Sequence, residues 1–188
     1  VVVLATLAQA ARAAGACMAR SPRTATPVVE LYTSEGCSSC PPADRWLSRL
    51  KAEPDVVALA FHVDYWDRLG WKDRFASPLF TRRQAQQLAS NGARFSYTPQ
   101  VVLDGADRTD WPRVAVDPAH RGTAPAPIEL TLAREGERVT AQVAASGVAP
   151  RRLAAYWALT ELGHVTAVKA GENDGATLKH DFVVRDYR

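Results

Sequence analysis

Two cysteines separated by two residues, Cys37 and Cys40, constrain this chain more than any other feature, because they lie between a strand-like and a helix-like segment. Residues 28–33 are mostly apolar and β-branched, which predicts a buried strand. Residues 43–51 carry large apolar side chains at helical spacing, with charges on the opposite face. Thiols at such a junction can exchange electrons, bind a metal ion or form a structural disulfide.

The segments that follow the cysteines predict an α/β arrangement. Residues 56–63 form a second apolar run, and two strands that flank a helix pair in parallel through a right-handed crossover. Residues 64–80 combine aromatic and charged side chains without a period, which indicates an ordered loop packed by its own rings. Residues 78–90 are helix-like, and residues 97–105 predict a further strand that is entered through a proline.

The pattern changes in the second half of the chain. Residues 112–127 contain four prolines, which predicts an extended linker. After residue 127 the segments are strand-like: residues 128–132, 139–143, 153–159 and 177–184. The first two alternate around a polar turn and predict a hairpin. We therefore expect residues 124–188 to form a small all-β, sandwich-like domain.

Charge gives little support for nucleic-acid binding. The formal net charge is +3, but Arg12, Arg20 and Arg23 are the only charged residues among the first 26. The rest of the chain carries 20 basic and 20 acidic side chains and has no basic stripe. A nucleic-acid interface requires such a stripe to neutralise phosphates, so we predict other partners.

Residues 1–26 resemble a secretory signal peptide, because an apolar run leads into small residues at two candidate cleavage triplets, Ala8-Gln9-Ala10 and Ala14-Gly15-Ala16. The apolar run is too short to span a bilayer, so we predict no transmembrane span. Cleavage beyond Cys17 would leave one pair of cysteines, which suits an oxidising compartment. The expected location is therefore periplasmic or secreted.

The spacing of the cysteine pair suits thiol–disulfide exchange. In that chemistry Cys37, as the exposed thiol, attacks a substrate disulfide and Cys40 resolves the mixed disulfide. Pro41 and Pro42 follow directly, so the regular helix is expected to begin near Cys40 or Pro41. Cys37 would then lie further from the helix dipole and be less acidified than the cysteine of a strong oxidant.

Several separate motifs resemble, in order, a bacterial family of secreted thioredoxin-like proteins catalogued as a domain of unknown function. These motifs are residues 30–44, 62–67, 69–71 with Asp73, 97–100, and 171–173 with Gly175, Leu178 and His180. The resemblance covers roughly residues 27–188. It implies secretion and a thioredoxin-like α/β domain over residues 27–111, before the linker and the β-rich domain.

The thioredoxin-like architecture also implies roles for residues outside the cysteine motif. Thr98 and a cis Pro99 would form the edge on which an extended substrate docks. Further residues are expected to support the site: Glu35, His62, Asp64, Trp66 and Trp71. We expect Glu35 to be a solvated charge rather than a proton acceptor for the buried thiol. His62 and Asp64 are expected to form a hydrogen-bonded pair at a strand end.

The function predicted from these residues is an exported thiol–disulfide oxidoreductase or redox sensor. Its substrate would be a protein or a small thiol or disulfide, with the Cys37–Cys40 disulfide as the redox group and no other cofactor. One alternative is a periplasmic protein that binds Cu(I) or Zn(II) through Cys37, Cys40 and His62.

A third interpretation is a binding module in which the disulfide is purely structural. Its recognition surface would be the aromatic residues of the 64–80 loop: Trp66, Trp71, Phe75 and Phe80. Rings in a long loop are more often that loop's own core. His164 and His180 are expected to be structural residues of the β part.

Overall fold

The structure, a computed structural model, describes residues 17–116, 125–146, 148 and 152–188. Over these ranges the chain forms eleven strands and two α-helices. In chain order they are β1 (Cys17–Arg20), β2 (Val28–Thr33), α1 (Pro41–Ser48), β3 (Val57–His62), α2 (Pro78–Asn91), β4 (Gln100–Leu103), β5 (Ala106–Asp107), β6 (Ile128–Glu135), β7 (Arg138–Ala145), β8 (Ala158–Glu161), β9 (His164–Ala167), β10 (Thr177–His180) and β11 (Val183–Tyr187). The fold class is mixed α/β, as predicted.

The chain divides into two compact units. One comprises Thr26–Thr123 with Leu153–Arg188, and the other comprises Val1–Ala25 with Ala124–Arg152. This division differs from the predicted one, in which residues 124–188 form a single β-rich domain. Alternating side chains identify a strand but do not specify the sheet that it joins. The sequence pattern therefore could not predict which sheet the C-terminal strands join.

A six-stranded sheet with the order β5-β4-β2-β3-β11-β8 organises the larger unit. Strands β2 and β3 pair in parallel from Val28 opposite Val57 to Thr33 opposite His62, which confirms the predicted parallel pair. Strand β4 runs antiparallel to β2. Strand β11 pairs in parallel with β3 and antiparallel with β8, so the last segment of the chain completes this sheet instead of a separate sandwich.

Both faces of the central strands are buried, because the two helices supply separate apolar clusters. Leu31 packs in a cluster with Leu47 of α1, whereas its neighbour Tyr32 packs in a cluster with Phe61 and Phe80. This alternation is the two-residue period of a strand. The ends of β2 and β3 are therefore packed on both faces where the chain enters the cysteine motif.

The ends of both helices follow from their sequence. Helix α1 has Cys40 as its N-cap residue and Pro41 and Pro42 in its first two positions, so the predicted start is confirmed. Helix α2 begins after Ser77, whose hydroxyl accepts a hydrogen bond from the Leu79 N–H, and it ends at Gly92 in a left-handed conformation. Glycine adopts that conformation without the penalty that a Cβ imposes.

The smaller unit contains a three-stranded sheet with the order β1-β6-β7. The β6–β7 hairpin was predicted and is confirmed, with Gly136 at positive φ in its turn. Strand β1 pairs with Thr131–Arg134, although it falls within the predicted signal-peptide-like segment of residues 1–26. Residues 1–16, with both candidate cleavage triplets, lie outside the described residues.

Two further expectations concern the linker and the membrane. Most of the predicted linker after Val116 lies outside the described residues, up to Ala124.

In the described part of the chain, neither helix has the length and apolarity needed to cross a bilayer.

Candidate functional site

Cys37 and Cys40 form a disulfide in the turn between β2 and α1, with their Cα atoms 5.4 Å apart. The Cys37 N–H donates to the Ser34 carbonyl, and the Cys40 N–H donates to the Cys37 carbonyl. Both cysteines are completely buried, at 0% exposure. The expectation of an exposed Cys37 is therefore wrong for this oxidised state, because residues remote in the sequence surround the motif.

Thr98 is the remote residue that reaches the sulfur of Cys37. Its hydroxyl lies 3.3 Å from Cys37 Sγ and accepts a hydrogen bond of 2.8 Å from the Trp66 indole N–H. Because a hydroxyl has one proton and two lone pairs, the indole engages a lone pair and leaves the Thr98 proton for the sulfur. Ser39 Oγ lies 3.4 Å from the same sulfur. The predicted docking residue thus touches the disulfide itself.

The segment that carries Thr98 is fixed by side chains of α2 and β4. The Gln84 amide donates to the Tyr97 carbonyl and to the Gln100 side chain, each at 2.8 Å. Asp107 accepts hydrogen bonds from Gln100 and from the Tyr97 hydroxyl. The Thr98–Pro99 peptide bond that follows is cis. The hydrogen bonds of Gln84, Gln100 and Asp107 therefore hold this segment beside the cysteines.

A loop after β9, residues 171–175, contacts the other side of the cysteine motif, and we call it the strap. Glu172 Oε2 accepts hydrogen bonds from the Ser38 N–H at 3.1 Å and from the Ser38 hydroxyl at 2.8 Å. The Asn173 amide donates to the Glu35 and Cys37 carbonyls at 2.9 and 3.0 Å. The sequence placed residues 171–173 among the family motifs but gave them no role, because nothing local links them to a motif more than 130 residues away.

Glu35 is completely buried, so the expectation of a solvated charge is wrong. Its carboxylate accepts a hydrogen bond of 2.9 Å from the Trp71 indole N–H and lies 3.4 Å from His180 Nε2. Burial raises its pKa, but the polar groups of His180, Thr166 and Trp71 outweigh burial and lower that pKa below its ordinary value. Glu35 is thus a buried carboxylate two residues from Cys37.

His62 pairs with Asp73 and not with Asp64, which corrects the predicted strand-end pair. His62 Nδ1 lies 2.6 Å from Asp73 Oδ2, and both side chains are fully buried. Burial lowers the His62 pKa, but the Asp73 carboxylate outweighs burial and raises it above the ordinary value. For Asp73, burial raises the pKa, but the His62 ring outweighs burial, so that the Asp73 pKa lies below its ordinary value. Asp64 instead accepts a hydrogen bond from the Thr81 hydroxyl.

These groups form one buried acid–base cluster behind the cysteine motif: Glu35, Asp44, His62, Asp73 and His180. Asp73 Oδ2 also accepts the Glu35 N–H at 2.9 Å, and the rings of His62 and His180 are perpendicular with centroids 4.9 Å apart. Burial raises the pKa of Asp44, which lies 3.9 Å from His180 Nδ1. The sequence assigned His180 to the β part, because only the tertiary fold brings β10 against α1 and His180 beside Glu35.

The structure bears on the two alternative interpretations, a metal site and an aromatic recognition surface, in different ways. Among the described residues, no group of three or more His, Cys, Asp or Glu side chains is arranged to hold a metal ion, and His62 Nδ1 is engaged by Asp73. Phe75 and Phe80 are buried, whereas Trp66 and Trp71 are half-buried and donate to site residues. The rings of the 64–80 loop therefore form a local core more than a recognition surface.

Comparison with known proteins identifies the family of this chain. The chain belongs to the family described as protein of unknown function (DUF1223), whose family model matches residues 28–188. It is also similar to a crystal structure of a structural genomics target from Agrobacterium tumefaciens, at 30% identity and a TM-score of 0.64. That likeness covers 89% of this chain and 73% of the other. A comparison with curated proteins found no match. The predicted resemblance is thereby confirmed at the level of a family of unknown function.

Proposed function

We propose that this protein is an exported, thioredoxin-like thiol–disulfide oxidoreductase or redox sensor that reacts through Cys37 and Cys40. The observation that carries the proposal is the 3.3 Å contact between Thr98 Oγ1 and Cys37 Sγ. This contact places the cysteine pair at the start of α1 next to the residues that enter the antiparallel strand β4. A substrate bound there could contact both the Cys37 sulfur and the main chain of Thr98. The parallel β2-α1-β3 unit next to antiparallel β4 supports the finer, thioredoxin-like interpretation of the fold.

In the oxidised protein the reaction begins with a substrate thiolate. The thiolate attacks Cys37 Sγ, so that a bond forms between the two sulfurs while the Cys37–Cys40 bond breaks. Cys40 leaves as a thiolate and takes up a proton. A second substrate thiolate then attacks the substrate sulfur of the mixed disulfide, which releases Cys37 and oxidises the substrate. Two electrons pass from the substrate to the cysteine pair, and the reverse sequence reduces a substrate disulfide.

The polar groups beside the sulfur would stabilise a thiolate on Cys37. The hydroxyls of Thr98 and Ser39 lie 3.3 and 3.4 Å from it. The first two positions of α1 are prolines, which have no N–H to offer. Side-chain hydroxyls therefore take part of the role that main-chain N–H groups play at other helix starts.

An extended peptide is the substrate form that the Thr98 edge fits best. Among the described residues, no hydrogen bond uses the main-chain N–H or C=O of Thr98, although the neighbouring Tyr97 carbonyl accepts one from Gln84. A substrate backbone could pair with those two groups in the manner of an added strand. The substrate sulfur would then lie next to Cys37.

Trapping of mixed disulfides tests this proposal. In Cys40→Ser, the resolving thiol is absent, so we expect substrates from a periplasmic extract to remain linked to Cys37 through a bond that dithiothreitol releases. The experiment is best done in a Cys17→Ser background, because Cys17 is a free, exposed cysteine. The Cys37→Ser/Cys40→Ser protein is the matched control and should capture nothing. Equal capture by the two proteins, or capture by neither, would count against the proposal.

A further inference from the structure

The strap hydrogen-bonds to the residues around Cys37, and these contacts bear on how any thiol can reach the disulfide. Both cysteines are fully buried, whereas exchange requires an attacking sulfur to approach one of them in line. The strap makes four hydrogen bonds to the motif, and three of them engage main-chain groups: the Ser38 N–H and the carbonyls of Glu35 and Cys37. A segment that binds the backbone on both sides of Cys37 restricts the movement that would expose its sulfur.

The strap itself is a structured hairpin tip and not a loose loop. The Asp174 N–H donates to the Gly171 carbonyl, and the Ala176 N–H donates to the Asn173 carbonyl. Gly171 has positive φ, and a Cβ there would lie 3.1 Å from the Cβ of Trp71. Glycine at this position therefore allows the tip to lie close against the 64–80 loop, beside the cysteine motif.

Glu172 places a negative charge in the contact between the strap and the cysteine motif. Its side chain is exposed, and the two hydrogen bonds from Ser38 lower its pKa. A carboxylate is thus held beside the residue that follows Cys37. An attacking thiolate is an anion, as is the thiolate that reduction leaves on Cys37, so both are repelled by this carboxylate. Glu172 also occupies the two Ser38 donors that could otherwise stabilise a thiolate.

We infer that Glu172 and Asn173 are positioning residues that hold the Cys37–Cys40 pair closed against thiols, and that reduction releases the strap through loss of the Ser38–Glu172 contact. The inference deepens the proposed function, because it assigns control of access to the same cysteine pair. A substrate that displaces the strap would take over the hydrogen-bonding groups of Ser38 and Cys37. The strap therefore favours partners that can replace its hydrogen bonds to Ser38 and Cys37, such as a peptide backbone with its C=O acceptor and N–H donor. Small anionic thiols cannot replace these hydrogen bonds and are disfavoured.

The rate of disulfide reduction by dithiothreitol tests the inference. Dithiothreitol supplies the two electrons, closes to its own cyclic disulfide and leaves two cysteine thiols, which are counted by alkylation and mass. In a Cys17→Ser background we expect Glu172→Gln to be reduced about tenfold faster than the parent, the scale of one lost charge-assisted interaction. Asn173→Ala, which frees the Cys37 carbonyl, should also be faster. Added salt should accelerate the parent more than Glu172→Gln.

Asp174→Asn is the matched control, because it removes one carboxylate from the same loop and no side-chain hydrogen bond of Asp174 to another described residue is lost. Its rate should stay within about twofold of the parent. Equal rates for Glu172→Gln and the parent, or equal acceleration by Asp174→Asn, would overturn the inference.

Hydrogen exchange of the Ser38 amide gives a second readout that needs no variant. We expect the amide to be protected in the oxidised protein and to exchange faster after reduction, and unchanged exchange would overturn the release step. These measurements are separate from substrate trapping. If the strap variants are faster but Cys40→Ser traps nothing, the strap covers a disulfide that has no substrate, and only the proposed function fails.

Discussion

Cys37→Ser is expected to abolish thiol–disulfide exchange, by at least about a thousandfold, because a serine hydroxyl cannot form the mixed disulfide through which exchange proceeds. A dithiothreitol-coupled assay that follows reduction of a disulfide-bonded protein such as insulin measures this loss.

Cys17→Ser is the matched control for this substitution. It makes the same chemical change at an exposed, free cysteine in β1, which belongs to the smaller unit. We expect its exchange rate to equal that of the parent protein. Activity that survives in Cys37→Ser, or that disappears in Cys17→Ser, would place the reactive sulfur elsewhere.

Asp73→Asn is expected to lower the free energy of unfolding by about 3–5 kcal/mol, the range for breaking a buried ion pair. Asp73 lies 2.6 Å from His62, and both side chains are fully buried. The amide removes the carboxylate that pairs with His62 in the acid–base cluster. Urea denaturation at constant pH measures the change. Asp186→Asn is the control, because Asp186 is an exposed carboxylate paired with Arg188. It should change the free energy of unfolding by less than about 0.5 kcal/mol.

The same pair predicts how that loss depends on pH. The Asp73 pKa is lowered in the folded state, so its contribution is present above an unfolded pKa of about 3.9 and is lost as pH falls. The His62 pKa is raised, so its contribution is present below an unfolded pKa of about 6.5 and is lost as pH rises through the folded value. The penalty of Asp73→Asn should therefore be largest between roughly pH 4 and 6.5. A penalty independent of pH would contradict the ion pair.

Local patterns predicted the part of the site that is contiguous in sequence. Strands β2 and β3, their parallel pairing and the start of α1 at Pro41 follow from apolar periodicity and from the positions where proline is tolerated. The same logic placed Thr98 and Pro99 at the entry of an apolar strand. These features depend on interactions within about 30 residues, or on the pairing rule for a helix that joins two strands.

The rest of the site depends on where the last 36 residues of the larger unit, Leu153–Arg188, return to the sheet. Strand β11 pairs with β3, and β10 brings His180 beside Glu35. Burial of Glu35 therefore follows from a segment that the sequence pattern assigned to another domain. Likewise, His62 was paired with Asp64 because they are neighbours on one strand, whereas the loop after β3 turns Asp73 back to it.

The reduction potential of the Cys37–Cys40 pair tests the central claim most directly. Purified Cys17→Ser protein would be equilibrated in glutathione and dithiothreitol buffers, and the alkylated thiols counted by mass. A disulfide that exchanges with substrates should have a potential above about −300 mV, because exchanging cysteine pairs lie at about −270 mV or higher. A value below about −300 mV is that of a resistant structural disulfide and would contradict the proposed oxidoreductase or redox sensor.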